Sequence, residues 1–389
     1  MYNEHQNNIA IYIHWPFCTR KCPYCDFNSH EAKSKIDIKL WMNAYQNEIA
    51  FEQSRLGKKL VKSVFFGGGT PSLMPIKLVE FILNKLNKVG HIDKNTEISL
   101  EANPSSVESK KFNNLSKIGV NRVSLGIQSL RDSKLKFLGR THSAKEGKEA
   151  IKIANKYFNK VSCDLIYGVP KQSKISWENE LKELIAYANG HISAYQLTIE
   201  KGTQFFSDHK NNKFILPSEK FLLILYKLTD RILHQNGYKK YETSNYSFSN
   251  CESIHNLAVW RGLEYIGFGP GAHGRVIRNK SWYATQRIYS PSKWLNCLIK
   301  NKNSLIVDNK INSNERAKEI VLTALRLIEG LDLNKLNTLT NNLHSKEIIN
   351  KNALNELSNS GLLNLDNSVV KVTKKGSPII NTILYKILC

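Results

Sequence analysis

Six apolar runs of strand length recur in the first half of the chain, and the stretches between them space their apolar residues as helices do. The runs are Ile11–Trp15, Val61–Phe66, Glu97–Glu101, Arg122–Ile127, Val161–Tyr167 and Ile192–Ile199. Helices are expected between them over Ile38–Leu56, Ile76–Val89, Ser106–Ile118, Ala144–Phe158 and Trp177–Ala188. Strand–helix units repeated in this order imply an α/β fold, with a parallel sheet covered by helices. A chain of 389 residues is long enough for one such domain plus a smaller one. The expected core is a partial (β/α)6 barrel.

Polar and glycine residues of unusual character gather at one end of these strands. A loop with Cys18, Cys22 and Cys25 follows the first strand, and Gly67-Gly68-Gly69-Thr70-Pro71-Ser72 follows the second. Glu101-Ala102-Asn103-Pro104 closes the third, Gln128 the fourth, and Asp164 lies late in the fifth. Barrels of this kind carry their sites on the C-terminal face of the sheet. One special residue per strand at that face is a stronger signal than any single motif.

Three thiols spaced C-x3-C-x2-C can wrap one metal centre and leave a coordination position free. A structural zinc site would need a fourth ligand, for which His14 and His30 are the local candidates. A [4Fe–4S] cluster held by three thiolates leaves one iron open, since a fully protein-bound cluster takes four cysteines. A disulfide is disfavoured by the odd total of seven cysteines and by the absence of a signal-peptide pattern in the polar residues Met1 to Ala10. Unliganded thiols on a surface loop would be an oxidation hazard. The glycine loop is no phosphate-cradling P-loop, because no Gly-Lys-Ser/Thr follows it.

The longest apolar run, Phe221–Tyr226, is too short to span a bilayer, and a cytoplasmic protein with reduced cysteines is expected. The net charge of +23 suits an anionic surface or nucleic acid. Its lysines are scattered among many Asn and Ile, however, which disfavours a dedicated nucleic-acid face. After Glu200 the strand–helix rhythm stops. A helix over Ser218–Gln235 and an extra strand within Gly237–Tyr246 are expected, then the motifs His255–Trp260 and Gly267–Gly274. From about Asn312 the pattern is mainly helical (Glu315–Leu327, Leu333–Leu339, Lys346–Ser358), closing with a two-strand turn and a helix near Pro378–Leu388. That order reads as a small winged-helix-like domain. The expected division is residues 1–240 for the core, 241–311 for an extension closing the barrel, and 312–389 for the C-terminal domain.

These motifs together resemble the radical S-adenosylmethionine (SAM) superfamily and, within it, the group of HemW haem chaperones and oxygen-independent coproporphyrinogen III dehydrogenases (HemN). The likeness covers nearly the whole chain, from Tyr12–Cys18 through Phe65–Ser72, Glu101–Pro104, Arg122–Leu130, Asp164–Pro170, Tyr241–Tyr246 and His255–Trp260 to Gly269–Arg275. The resemblance implies a radical-SAM barrel with Cys18, Cys22 and Cys25 on a [4Fe–4S] cluster whose open iron is chelated by SAM. It implies a SAM site of Tyr12, Gly68, Gly69, Thr70, Glu101, Gln128, Arg140 and Asp164. There the glycine loop would meet the amino group, Arg140 the carboxylate, and Glu101 and Asp164 the ribose hydroxyls and the ammonium. The dehydrogenases carry a fourth cysteine two residues after the third, where this chain has Phe27, and a long extension before the cluster motif. Only 17 residues precede Cys18 here. Both features favour haem chaperone activity, with haem and apo-haemoproteins of the respiratory chain as partners. A homodimer and a peripheral membrane contact are further expectations. Haem ligation is expected at His255, in a His-Asn-x-x-Tyr-Trp motif whose Tyr is Val259 here, with His273 the weaker candidate. The alternatives are coproporphyrinogen III decarboxylation through a 5′-deoxyadenosyl radical and radical-SAM modification of RNA.

Overall fold

The computed structural model describes residues 7–32, 36–340 and 348–388. The first two residues of the helix expected over Lys346–Ser358 lie outside them, as do Met1–Gln6 of the polar N-terminal stretch. Six parallel strands form the centre: β1 (Asn8–Trp15), β2 (Lys59–Gly68), β3 (Glu97–Ala102), β4 (Arg122–Gln128), β5 (Lys160–Tyr167) and β6 (Gly190–Gln196). Each pairs in parallel with the next in chain order. This succession curves the sheet into the open, partial (β/α)6 barrel expected, and no closed barrel is formed among the described residues.

The helices cover the outer face because their apolar stripes need it. Helix α1 (Ile38–Leu56) starts where Asp37 accepts hydrogen bonds from the backbone N–H groups of Lys39 and Leu40, an N-cap that satisfies otherwise orphaned donors. It buries Trp41, Ala44, Tyr45 and Ile49. Trp41 packs at 5.1 Å on Trp15 and at 5.4 Å on Phe17, the residue before Cys18, and at 5.2 Å on Trp294. Aromatic pairs of this kind add about 0.5–1.5 kcal/mol each beyond their buried area. This cluster therefore fixes the strand that delivers the cysteine loop. Helices α2 (Ile76–Leu86), α3 (Ala144–Tyr157) and α4 (Lys174–Ile185) follow β2, β4 and β5. The helix expected over Ser106–Ile118 is instead two short ones, Ser106–Ser109 and Phe112–Lys117.

Antiparallel strands extend the sheet at both edges. Helix α5 (Glu219–Gln235) precedes Lys239–Lys240 and β7 (Asn245–Ser247), which runs antiparallel to β6. The single strand expected within Gly237–Tyr246 is thus two short ones. At the other edge β8 (Tyr265–Phe268) pairs in parallel with β1, and β9 (His273–Arg278), β10 (Ser281–Arg287) and β11 (Leu305–Lys310) continue outward as an antiparallel meander. The expected extension therefore adds strands to both edges and leaves the barrel open. The motif His255–Trp260 forms a helix, α6 (Ile254–Trp260), whose first N–H groups are received by the Glu97 carboxylate: Ile254 N at 2.9 Å and His255 N at 3.3 Å.

The C-terminal region has its own core, around Ile320, Val321, Leu336, Leu357, Ile383 and Leu384. Helices Ser313–Ala324, Leu333–Leu339, Lys351–Asn359 and Ile380–Leu388 surround a three-stranded antiparallel sheet of Leu331–Asp332, Val369–Val372 and Leu363–Asp366. No helix among the described residues is long and apolar enough to cross a membrane.

Candidate functional site

Residues that alternate along a strand point to opposite faces of the sheet, and the inward set of this barrel is polar. Strand β3 sends in Glu97, Ser99 and Glu101; β4 sends Arg122, Ser124, Gly126 and Gln128; β5 sends Ser162, Asp164 and Ile166; β6 sends His191, Ser193 and Tyr195. The register aligns Glu101 with Ser124 and Asp164 with Ser193. At the C-terminal ends of the strands these residues open into a cavity of about 450 Å3. Cys18, Cys22 and Cys25 line it together with Gly68, Gly69, Thr70, Glu101, Gln128, Arg140 and Asp164. One pocket thus gathers the three cysteines and seven of the eight residues expected to hold SAM.

The eighth, Tyr12, stands beside the pocket rather than on its wall. Its hydroxyl bonds His14 Nδ1 at 3.0 Å and its ring stacks on Phe65. His14 Nε2 lies 2.9 Å from the Asn28 carbonyl, which can only accept, so Nε2 carries the proton and Nδ1 accepts from Tyr12. Burial holds the ring neutral, its pKa lowered to about 4. Both nitrogens of His14 are therefore engaged. His30 is exposed and holds Asn28 Oδ1 through Nε2. Neither imidazole lines the pocket as the fourth ligand that a zinc site would require.

The glycine loop owes its position to the cysteine strand. Gly69 N–H donates to the Trp15 carbonyl at 2.7 Å and Thr70 N–H to the Phe17 carbonyl at 2.9 Å. Gly68 has φ +114°, and a Cβ there would lie 2.6 Å from the His14 ring. Only glycine fits. Gly139 is similar: φ is +68° and a Cβ would strike Pro23 at 2.5 Å, so the turn bringing Arg140 inward rests directly on the cysteine loop.

Arg140 donates to Cys22 Sγ at 3.3 Å, to the Gly126 carbonyl at 3.0 Å and to Asn103 Oδ1. Asn103 Nδ2 in turn donates to Thr70 Oγ1 at 3.2 Å. The Arg140 Nε is buried without a partner among the described residues, an orphaned donor that an anionic ligand group in the pocket would satisfy. On the acidic side, Ser124 donates to Asp164 at 2.9 Å and 3.1 Å, and Ser162 donates at 3.1 Å. Burial raises the Asp164 pKa against these hydroxyls. Burial, with Asp164 nearby, pushes Glu101 up to about 8, against the hydrogen bond that it accepts from Gly68 N–H at 3.1 Å. Two carboxyls kept this close in a partly dry pocket are costly without a cationic or hydroxyl-bearing ligand. Gln128 adopts φ +61°, a left-handed conformation rare outside glycine, on the same wall.

The donor set fits a [4Fe–4S] cluster with SAM. Three thiols, a glycine cradle, an orphaned guanidinium nitrogen and paired carboxyls share one pocket. Among the described residues no three His, Cys, Asp or Glu side chains converge as a mononuclear metal site would need. The sequence reading missed Tyr24, Ser124 and Tyr195 on the pocket wall and Asn28, which ties the cysteine loop to His14 and to the Pro270 carbonyl. The two-residue alternation of β4, β5 and β6 was the signal for Ser124 and Tyr195.

His255 lies elsewhere. It is buried near the N-terminal ends of the strands, its ring stacked on Phe65 at 4.9 Å and its Nδ1 sharing a 3.0 Å hydrogen bond with Ser63 Oγ. Burial lowers its pKa to about 3. The structure does not bring it to the pocket. His273 is exposed, on the strand that follows the Gly269–Ala272 turn.

The radical SAM superfamily model matches residues 12–184, and the HemN C-terminal domain model matches residues 311–379. The heme chaperone HemW of Buchnera aphidicola subsp. Acyrthosiphon pisum is 33% identical over 378 residues, 97% of each chain. The mitochondrial radical S-adenosyl methionine domain-containing protein 1 of Danio rerio is 31% identical over 392 residues, covering 99% of this chain and 88% of that one. Among solved structures, coproporphyrinogen III oxidase (HemN) from Escherichia coli shares the fold, with a TM-score of 0.82 at 20% identity, over 99% of this chain and 91% of that one.

Proposed function

Because the chain belongs to the HemW group of the radical SAM superfamily, we propose that it is a haem chaperone, binding haem and handing it to apo-haemoproteins of the respiratory chain while carrying a SAM-bound [4Fe–4S] cluster. The observation that carries the reading is Phe27. It sits 57% exposed on the pocket wall, where the dehydrogenases of this superfamily place a fourth cysteine. An apolar ring can neither donate a proton nor ligate a metal there, and it offers a surface to a flat apolar cargo.

Cys18, Cys22 and Cys25 would hold the cluster, with the Arg140 guanidinium on the Cys22 sulfur balancing thiolate charge. When bound, the cluster supplies a redox centre with one open iron for SAM. Gly68 and Gly69 let the backbone approach the ligand, Arg140 meets a carboxylate, and Glu101 and Asp164 receive hydroxyl and ammonium groups. Tyr12 acts as a positioning residue by fixing the His14 tautomer, and His14 in turn holds the cysteine loop through Asn28. The proposed place of work is the cytoplasm, a reducing compartment where these thiols stay available. The zebrafish relative is named as mitochondrial, and that location would serve the same chemistry.

Supplied anaerobically with reductant, SAM and coproporphyrinogen III, the reconstituted protein is expected to form no protoporphyrinogen at catalytic turnover. Turnover read by porphyrin chromatography would move the assignment to the dehydrogenase.

A further inference from the structure

A histidine that ligates haem iron must offer a nitrogen lone pair to a face large enough for a porphyrin. His14, His142, His191 and His255 fail on the first count or the second: each is buried with ring nitrogens in hydrogen bonds. His273 meets both. Neither of its ring nitrogens makes a hydrogen bond among the described residues, and its ring is exposed. It stands T-shaped to Tyr289 at 6.4 Å. Tyr289 is itself 50% exposed.

The surface around it leads back to the pocket. Asn28 donates to the carbonyls of Tyr289 and Pro270, at 3.0 Å each, so the cysteine loop beside the exposed Phe27 is tied to the turn that carries Tyr289. Lys21 Nζ stands 3.4 Å from the Phe27 carbonyl, a cation at the edge of this aromatic patch. An imidazole, two exposed aromatic rings and a cation match the parts of haem: iron, apolar macrocycle and propionates. The turn leading into the strand that bears His273 is anchored, since Gly269 N–H donates to the buried Glu48 carboxylate at 2.7 Å. Burial and nearby Arg275 lower the His273 pKa, which keeps the lone pair free at neutral pH.

We propose that His273 is the haem-iron ligand and that the macrocycle lies over Tyr289 and Phe27, beside the cluster loop. The site rests on the haem-chaperone reading above and replaces His255 as the ligand. The experiment is an anaerobic titration of the reconstituted protein with ferric protoporphyrin IX, followed by the Soret band, for wild type, His273→Ala, His255→Ala and His30→Ala. In His273→Ala the affinity should fall by at least the roughly tenfold that loss of even an outer-shell partner costs a metal site. The Soret maximum should shift, and added imidazole should restore it, a rescue that a merely structural role would not show. His30→Ala should bind as wild type, and so should His255→Ala if it folds. Wild-type binding by His273→Ala, or loss confined to His30→Ala or to a folded His255→Ala, would overturn this site while leaving the chaperone reading intact. No saturable Soret change in the wild type would overturn the chaperone reading and the site with it.

Discussion

Arg140 and Asp164 supply the opposed charges of the pocket, and each is held by fixed neighbours rather than by solvent. Removing either would leave a charged ligand group without its partner, which costs about 2–5 kcal/mol when the pair is buried. SAM affinity of the reconstituted protein should drop accordingly in Asp164→Ala and in Arg140→Ala, measured by calorimetry; affinities equal to wild type would remove both from the site. Glu101 makes a pH-dependent prediction. Its folded pKa of about 8 lies above the ordinary value near 4.3. A raised carboxyl pKa means that the folded state binds more protons across that window, so its contribution is complete at acid pH and is lost as pH rises through about 8. Glu101→Gln removes this loss. Without ligand, the melting temperature of the variant relative to wild type should climb between pH 5 and pH 8.5, and a constant difference would contradict the assignment.

The cysteine loop depends on elements distant in sequence. Asn28 joins it to Pro270 and Tyr289 through its amide, to His30 through Oδ1, and to His14 through its carbonyl. Asn28→Ala should fold, since Trp15, Phe17 and Trp41 still pack. It should incorporate less than the roughly four irons per chain of a full cluster and bleach faster in air, as iron analysis and visible absorbance would reveal. Wild-type iron content and stability would mean that the loop is held by its thiols alone. The six parallel strands were legible because each sets apolar residues on its outward face, as Val123, Leu125 and Ile127 do on β4, beneath the covering helices. Helix α1 spans the residues that its apolar spacing indicated, and the structure adds Asp37 as its N-cap and Gly57 at its C-terminal end. Strands β8 to β11 were not legible. The outer strand β11 is mostly exposed and ends in Asp308, Asn309 and Lys310, and the meander takes its place through β8, which pairs with β1 more than two hundred residues away. The helical form of His255–Trp260 was hidden for a related reason: its first turn is completed by Glu97, from another strand.

Across the whole molecule, the sequence located the polar pocket at the strand ends but not the patch around His273. The pocket residues sit at equivalent positions of successive strand–helix units, so a one-dimensional rhythm locates them. The patch around His273 instead joins the cysteine loop, the β8–β9 turn and the segment after β10, a conjunction that only the folded sheet makes. The C-terminal region docks near the same edge, with Arg275 paired to Glu319 at 2.7 Å and Arg261 held in a fork by Glu329, also at 2.7 Å. The most direct test of the central claim is haem transfer. Reconstituted protein loaded with one equivalent of haem would be mixed anaerobically with an apo-haemoprotein of the respiratory chain, and the acceptor's own absorbance and activity followed. The account predicts that the acceptor gains haem faster from the loaded protein than from free haem at the same concentration. A rate no faster than free haem, or haem retained by the donor, would contradict it.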